Sequence, residues 1–267
     1  MLRIVTWNMR RAKSSSKCWD LLSEIAPDLA LLQEVGEFPS RIRAEYEVAE
    51  EIPTNRSGQP QRFKTALLAR GRIKSDIDLV SGLDWVNQER VWFRGNILAR
   101  TVSLGNGDTV NVVSLYSPAW PVAPARLVGI DVRGVKLEQN PDVWCTEILW
   151  SLLKSSMSRQ PGPWVIGGDF NSSETFDAWR VGGRGNAEIV RRLNDLGLTE
   201  CLRAHQGRLV PTFRNPRGGG IVHQIDHLYV SETLLDQMLV CNAPMEDRIF
   251  AEGLSDHLPI VADFKTT

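Results

Sequence analysis

Trp164-Val165-Ile166-Gly167-Gly168-Asp169-Phe170-Asn171 is the stretch whose reading decides the fold. Trp164 to Ile166 has the length and β-branched content of a buried strand. Gly167 and Gly168 permit unusual dihedrals or a close backbone approach where that strand ends. Asp169 and Asn171 follow on one side of an extended chain, because residues two apart share a face. A carboxylate able to take a proton or hold a metal thus emerges beside a carboxamide that both donates and accepts hydrogen bonds. Taken alone, the pair fits a turn closing a strand equally well.

The same pattern recurs outward from this stretch. Leu2 to Trp7 reads as a strand ended by Asn8, and Leu29 to Leu32 as a strand ended by Gln33-Glu34. Between them Cys18, Leu21, Leu22 and Ile25 recur at helical spacing until Pro27 stops the helix. Residues 36 to 61 read as loops around short elements. Phe63–Ala69, Ile73–Val80, Val91–Val102 and Val110–Leu115 read as successive strands, with Gly105-Asn106-Gly107-Asp108 as a hairpin turn. Residues 116 to 139 resemble an active-site loop. Asn140-Pro141 predicts an N-cap and first-turn proline for a helix to about Met157, with Trp144, Ile148 and Leu152 on one face. Gly182 to Gly185 predicts a flexible loop, Ala187 to Leu196 a helix, and Arg208 to Gly220 a further loop. Ile225–Val230 and Ile260–Phe264 complete the strands, with Ser255-Asp256-His257 just before the last. Many strands with few helices between them predict two packed sheets in a single domain over residues 1–267.

Bulk properties exclude several classes. The chain has 267 residues, 42% hydrophobic and 24% charged, as in an ordinary soluble globular protein. Its net charge of -1 lends no support to nucleic-acid binding, which only a local basic face would supply. Cys18, Cys145, Cys201 and Cys241 are scattered, which predicts buried free thiols in a reducing compartment. Neither a leader nor a membrane-spanning run is visible, so the expectation is a cytoplasmic protein without a membrane anchor. A monomer is expected, and nothing suggests a protein partner.

The polar groups at strand ends gain meaning together. Asp226 lies inside Gln224-Ile225-Asp226-His227-Leu228, where a strand disfavours aspartate and a partner is required. Sheet ends gather in space, so Glu34, Asp169, Asp226 and Asp256 with one histidine and two asparagines form a hard, oxygen-rich site. Such donors suit Mg²⁺, which binds through one or two carboxylates plus a substrate phosphate. Zinc would want more His or Cys. A nucleophilic hydrolase fits poorly, because no Gly-x-Ser-x-Gly elbow occurs and no Cys is placed beside a His.

Trp7-Asn8, Leu32-Gln33-Glu34, Ser114-Leu115-Tyr116, Gly168-Asp169-Phe170-Asn171, Gln224-Ile225-Asp226-His227 and Ser255-Asp256-His257 occur in that order. Together they resemble the endonuclease/exonuclease/phosphatase superfamily over nearly the whole chain. The resemblance implies a four-layer α/β sandwich, two mostly antiparallel sheets flanked by helices, and metal-dependent cleavage of a phosphate ester. It implies that Glu34 holds Mg²⁺, for which Mn²⁺ can substitute, with Asn8 and Asp256 beside it. It further implies that Asp169 activates water, Asn171 positions it, Asp226 orients His257, and His257 binds the phosphoryl oxygens. Tyr116 matches a phosphate-contacting tyrosine of AP endonucleases, and Arg126 corresponds to the basic residue that follows it.

The substrate is read from departures and local charge. Asn8-Met9-Arg10-Arg11 lacks the acidic-Gly-Leu/Ile-Arg continuation of AP endonucleases, and no 5-phosphatase Pro-Ala-Trp-Cys-Asp-Arg signature precedes Asp226. Three segments carry only basic charges: Arg10, Arg11, Lys13 and Lys17; Arg56 to Lys74; and Arg203, Arg208, Arg214 and Arg217. If they flank the site, they form a basic collar for a polyanion, with Arg214 and Arg217 binding substrate. A nuclease acting on DNA or RNA is favoured. The alternatives are a phosphatase or phosphodiesterase on a small phosphorylated molecule or lipid headgroup, and a catalytically idle binding module.

Overall fold

The computed structural model describes residues 1–179, 185–215, 218 and 220–266. Gly182, Gly183, Arg184 and Arg217, named above for a loop and a substrate contact, lie outside the described residues.

Short apolar runs buried on both faces build the central strands of two six-stranded sheets. The first holds β1 (Leu2–Ala12), β2 (Leu29–Val35), β3 (Glu47–Glu51), β4 (Lys64–Ala69), β13 (Met238–Asn242) and β14 (Ile260–Phe264) in the order β13-β14-β1-β2-β4-β3. The second holds β5 (Arg72–Asp76), β6 (Ile97–Ser103), β7 (Thr109–Tyr116), β8 (Trp164–Asp169), β9 (Leu198–Glu200) and β12 (Asp226–Ser231) in the order β5-β6-β7-β8-β12-β9. A small ribbon pairs β10 (Phe213–Arg214) with β11 (Ile221–His223). The pairings β1–β2 and β7–β8 are parallel and the other pairings within the sheets antiparallel.

Each sheet is apolar on both faces, so each is covered twice. Between the sheets, Ile4, Leu29, Leu31 and Leu67 meet Leu98, Val112, Val165 and Leu228. Gly167 stands in this interface, where an added Cβ would come within 3.1 Å of Leu228 and 3.2 Å of Leu31 and Thr6.

The helices are α1 (Cys18–Ile25), α2 (Ser40–Glu45), α3 (Asp84–Trp92), α4 (Cys145–Ser156), α5 (Glu174–Trp179), α6 (Asn186–Asn194), α7 (Cys201–Gln206), α8 (Glu232–Leu235) and α9 (Glu246–Ala251). On the outer face of the first sheet, Val5, Trp7, Leu32 and Leu68 pack against α1, α2 and α9 through Leu21, Leu22, Ile42 and Ile249. On the outer face of the second, Val113, Ile166 and Tyr229 meet Ile148 and Leu152 of α4 and Ile189 of α6. The result is a four-layer α/β sandwich. The four cysteines are free and buried. No helix among the described residues is long and apolar enough to cross a membrane.

Several local expectations are corrected. Val91–Val102 is not one strand, because Val91 and Trp92 close helix α3 with exposed side chains and β6 starts only at Ile97. An apolar doublet on a helix surface reads like the start of a strand. Strand β5 stops at Asp76, short of Val80. Asn140-Pro141 does not cap a helix: Asn140 Oδ1 accepts from Asp142 N and Trp144 Nε1, and α4 begins at Cys145 with Glu147 accepting from Trp144 N. Within the segment read as loop from Arg208 to Gly220, β10 forms a ribbon edge.

Candidate active site

The strand pattern sends every quoted polar residue to one end of the sandwich. Parallel β1 and β2 finish together, with Asn8 opposite Gln33 and Glu34 following. Parallel β7 and β8 place Tyr116 opposite Asp169, and antiparallel β12 places Asp226 opposite Asp169 from the other side. Antiparallel pairing of β14 with β1 sets Ile260 opposite Thr6, which returns Asp256 and His257 to the same rim.

Asp169 is buried and held by three donors. Asn8 Nδ2 donates to its Oδ2 at 3.0 Å, Asn171 N to Oδ1 at 2.9 Å, and Asn171 Nδ2 to Oδ2 at 3.3 Å. Asn171 also donates to Ser117 O at 2.7 Å, tying the loop after β7 to the site. Gly168 has a local cause, since its φ is 154° and an added Cβ would lie 1.9 Å from Leu115 O on the parallel neighbour. Only glycine tolerates that approach. Asn171 (φ 47°) and Glu34 (φ 50°) hold left-handed backbones, a conformation rare outside glycine and concentrated at functional sites.

His257 faces Asp169 from the other sheet. Its Nδ1 lies 3.0 Å and 2.9 Å from the two Asp226 oxygens, which leaves Nε2 as the nitrogen turned away from that carboxylate. Thr212 Oγ1 donates to Asp226 Oδ2 at 2.7 Å, Trp7 Nε1 donates to His257 O at 2.9 Å, and the Phe213 ring lies 4.9 Å from the imidazole. Ser255 Oγ donates to Asn8 O at 2.7 Å and accepts from His257 N at 3.1 Å, so one hydroxyl couples the two sides.

Electrostatics follow from burial. Burial pushes Asp169 up to about 7, against the attraction of His257 and with the repulsion of Asp226. Burial alone would lower His257, but the carboxylates of Asp226 and Asp169 prevail and raise it to about 10. The pair therefore offers a carboxylate poised to accept a proton beside an imidazolium poised to donate a hydrogen bond.

The second part of the rim is a carboxylate site. Glu34 is raised by burial and by the nearby Asp256, and lowered by His257, by Arg11 and by a hydrogen bond with the Tyr116 hydroxyl. Burial and the charges of Glu34 and Asp169 push Tyr116 upward, so its hydroxyl stays protonated. Ligand atoms of Asp169, Asp226 and His257 lie within 4.8 Å of one another. Asp226, however, already accepts from His257 and Thr212, and an imidazolium does not ligate a cation. The better fit to a hard divalent ion is Glu34 with the nearby Asp256, carboxylate oxygens that carry no short hydrogen bond to a cation among the described residues.

Two cations reach this rim. Arg10 Nε stands 3.8 Å from Asp256 and Arg11 Nε 3.7 Å from Glu34. Arg214 joins the rim by its backbone, its N donating to Asp256 O, while its guanidinium lies over Phe250 and donates to Phe250 O. Arg126 is engaged elsewhere: it forks onto buried Glu89 and stacks 4.2 Å above Trp92. The collar is incomplete. Arg70 pairs with Glu45, and β4 runs away from the site, so Arg70, Arg72 and Lys74 lie at the opposite end. Thr212 and Ser255 carried no expectation of their own. Ser255 stood inside a quoted motif, whereas nothing in sequence marked Thr212.

This arrangement has relatives. A family model of the Endonuclease/Exonuclease/phosphatase family matches residues 5–257. The chain belongs to that family. Its enzymes are divalent-metal-dependent hydrolases of phosphoesters. No curated protein matches it. Among solved structures it is similar to the 3' phosphatase NExo from Neisseria bound to a product DNA hairpin, at 21% identity and TM-score 0.69 with 100% of both chains covered. It is similar to an AP endonuclease from Archaeoglobus fulgidus at 21% identity and TM-score 0.68, again over 100% of both chains. The catalytic domain of Xenopus laevis APE2 aligns at 16% identity and TM-score 0.68, over 99% of this chain and 92% of that one. At these identities the likeness is one of fold.

Proposed function

We propose that this member of the Endonuclease/Exonuclease/phosphatase family is a nuclease that hydrolyses phosphodiester bonds of DNA or RNA with Mg²⁺, or Mn²⁺ in its place. The observation that carries this reading is the opposition of Asp169 to the His257–Asp226 pair, with ligand atoms within 4.8 Å. A tetrahedral phosphate between them would meet a base on one side and a cationic donor on the other.

Asp169, oriented by Asn8 and Asn171, takes a proton from the attacking water as its oxygen bonds to phosphorus. His257, charged and held by Asp226 in the orientation that turns Nε2–H outward, donates to a non-bridging oxygen as charge grows there. Tyr116 donates to the same phosphate. The ester P–O bond breaks, and the leaving oxygen takes its proton from solvent. Glu34, with Asp256 and Asn8 Oδ1, would hold Mg²⁺, which supplies neutralisation of phosphate charge when bound. Arg214 would contact a flanking phosphate. Arg126, committed to Glu89, would act by anchoring the loop that follows Tyr116.

Support for nucleic acid comes from the cationic rim of Arg10, Arg11 and Arg214 on a neutral chain, and from the neighbour bound to a DNA hairpin. The test is a Mg²⁺-dependent assay against supercoiled plasmid, single-stranded DNA, RNA, an abasic duplex, a 3'-phosphorylated end, inositol phosphates and sphingomyelin. Turnover of a nucleic acid well above every small substrate is expected. Preference for an inositol phosphate or sphingomyelin would overturn the nuclease reading.

A further inference from the structure

Strand β1 does not run straight into solvent. Asn8 pairs with Gln33 and Ala12 with Val35, so three residues on β1 face one on β2 between these pairs. The surplus is a bulge, a device that re-aims side chains beside active sites. Arg10 (φ 47°) and Arg11 (φ 60°) occupy it, both left-handed, which costs a residue with a Cβ about 1 kcal/mol or more. Two features hold them there. Asn8 Oδ1 accepts from Arg10 N at 3.0 Å. Gly36 packs under the bulge, where an added Cβ would meet Ala12 O at 2.7 Å and Arg11 O at 2.9 Å.

The strain aims two guanidinium groups at the two rim carboxylates, Arg10 at Asp256 and Arg11 at Glu34. Among the described residues neither guanidinium makes a hydrogen bond, and both side chains are half exposed or more. At 3.7–3.8 Å they neutralise without locking, and they stay free to swing.

We propose that Arg11, with Arg10 as its companion, is a tethered counter-ion of the cation site. A divalent ion reaches Glu34 only by displacing Arg11, and the displaced guanidinium is taken up by an oxyanion of the substrate. Cation and phosphate then bind cooperatively: each relieves a cost the other would face alone. This rests on the proposed function only for the nature of the anion, since any phosphate ester would serve.

Other basic residues of the chain are hydrogen-bonded into close ion pairs. Lys64 pairs with Glu50, and Arg203 with Glu174, so their charges are already matched. Among the described residues Arg11 has a carboxylate contact at 3.7 Å with Glu34, longer than a hydrogen bond, and the Phe63 ring 5.5 Å from its guanidinium as a resting surface.

The experiment measures Mn²⁺ binding by electron paramagnetic resonance on the whole chain, independent of turnover. The parent, Arg11→Gln and Arg11→Lys are compared with and without sulfate as a non-hydrolysable oxyanion, at ionic strength matched with perchlorate. Removing one charge near a divalent ion is expected to tighten Mn²⁺ binding in Arg11→Gln on the order of tenfold. Arg11→Lys should stay near the parent. Sulfate should tighten Mn²⁺ binding in the parent and not in Arg11→Gln. Equal or weaker Mn²⁺ binding in Arg11→Gln, or sulfate coupling that survives the substitution, overturns the proposal. A parallel arm with an oligonucleotide whose linkages are made non-hydrolysable, since Mn²⁺ would support cleavage, separates the two readings. Sulfate coupling without oligonucleotide coupling leaves the counter-ion standing and sinks the nuclease.

Discussion

His257 Nδ1 sits 2.9 Å from Asp226 Oδ2 and 3.0 Å from Oδ1, joining a loop before β14 to the first residue of β12. The two residues come from different sheets, so their pairing fixes the sheets' relative position at the rim. His257 has its folded-state value raised from 6.5 to about 10. A raised histidine contributes stability that is fully present below about 6.5 and lost as pH rises through about 10. The stability gap between the parent and His257→Gln, measured by urea denaturation without metal, should therefore narrow steadily between those two pH values. A gap that is flat across this window would contradict the charge assignment.

Asp169 behaves in the opposite sense to a salt-bridged acid. Burial raises it from 3.8 to about 7, so the folded state holds a proton that the unfolded chain has released over that interval. Stability of the parent falls as pH rises through the window. Asp169→Asn, which resembles the protonated acid, should gain melting temperature relative to the parent as pH goes from about 4 to 8. The variant's disadvantage, if any, should appear only at the acidic end. Calorimetry at several pH values checks the slope.

Gly168→Ala should fold poorly. The new Cβ would lie 1.9 Å from Leu115 O in a parallel pair between two buried strands, with no flexible side chain to yield. A loss of at least about 3 kcal/mol is expected from urea titration. Gly107→Ala is the control, because nothing lies within 4 Å of its position. It should show only the smaller strain of its positive φ.

The candidate site was legible in sequence because strands are. A strand declares its length through apolar residues, so a polar residue just past the run, as at Asn8, Glu34 or Asp169, is already placed at a sheet end. Pairing then does the rest, setting Asp226 opposite Asp169 across residues far apart in the chain. What stayed hidden depends on partners. The β1 bulge exists only relative to β2, so Arg10 and Arg11 read simply as basic residues after a strand. Thr212 reaches Asp226 from a loop with no periodicity. Helix α3 hid because Val91 and Trp92 face outward, leaving Val86 as its buried apolar anchor.

Arg214 tests the substrate side. Its guanidinium rests on Phe250 at the edge of the site. If it neutralises one phosphate, Arg214→Ala should weaken binding of any oligonucleotide sequence similarly and reduce the log-log salt slope by about one. Hydrolysis of a small phosphodiester should be almost unchanged. An unaltered slope would remove Arg214 from the nucleic-acid interface.

The central claim is metal-assisted attack of water with Asp169 as base and His257 as cationic donor. Single-turnover cleavage of a labelled oligonucleotide, comparing the parent, Asp169→Asn and His257→Ala in Mg²⁺ and in chelator, measures it directly. The account predicts cleavage by the parent in Mg²⁺ and none in chelator. It also predicts a loss of roughly 10²–10⁴-fold for each folded variant. Parent activity that persists in chelator, or a folded Asp169→Asn that cleaves at the parent rate, would contradict it.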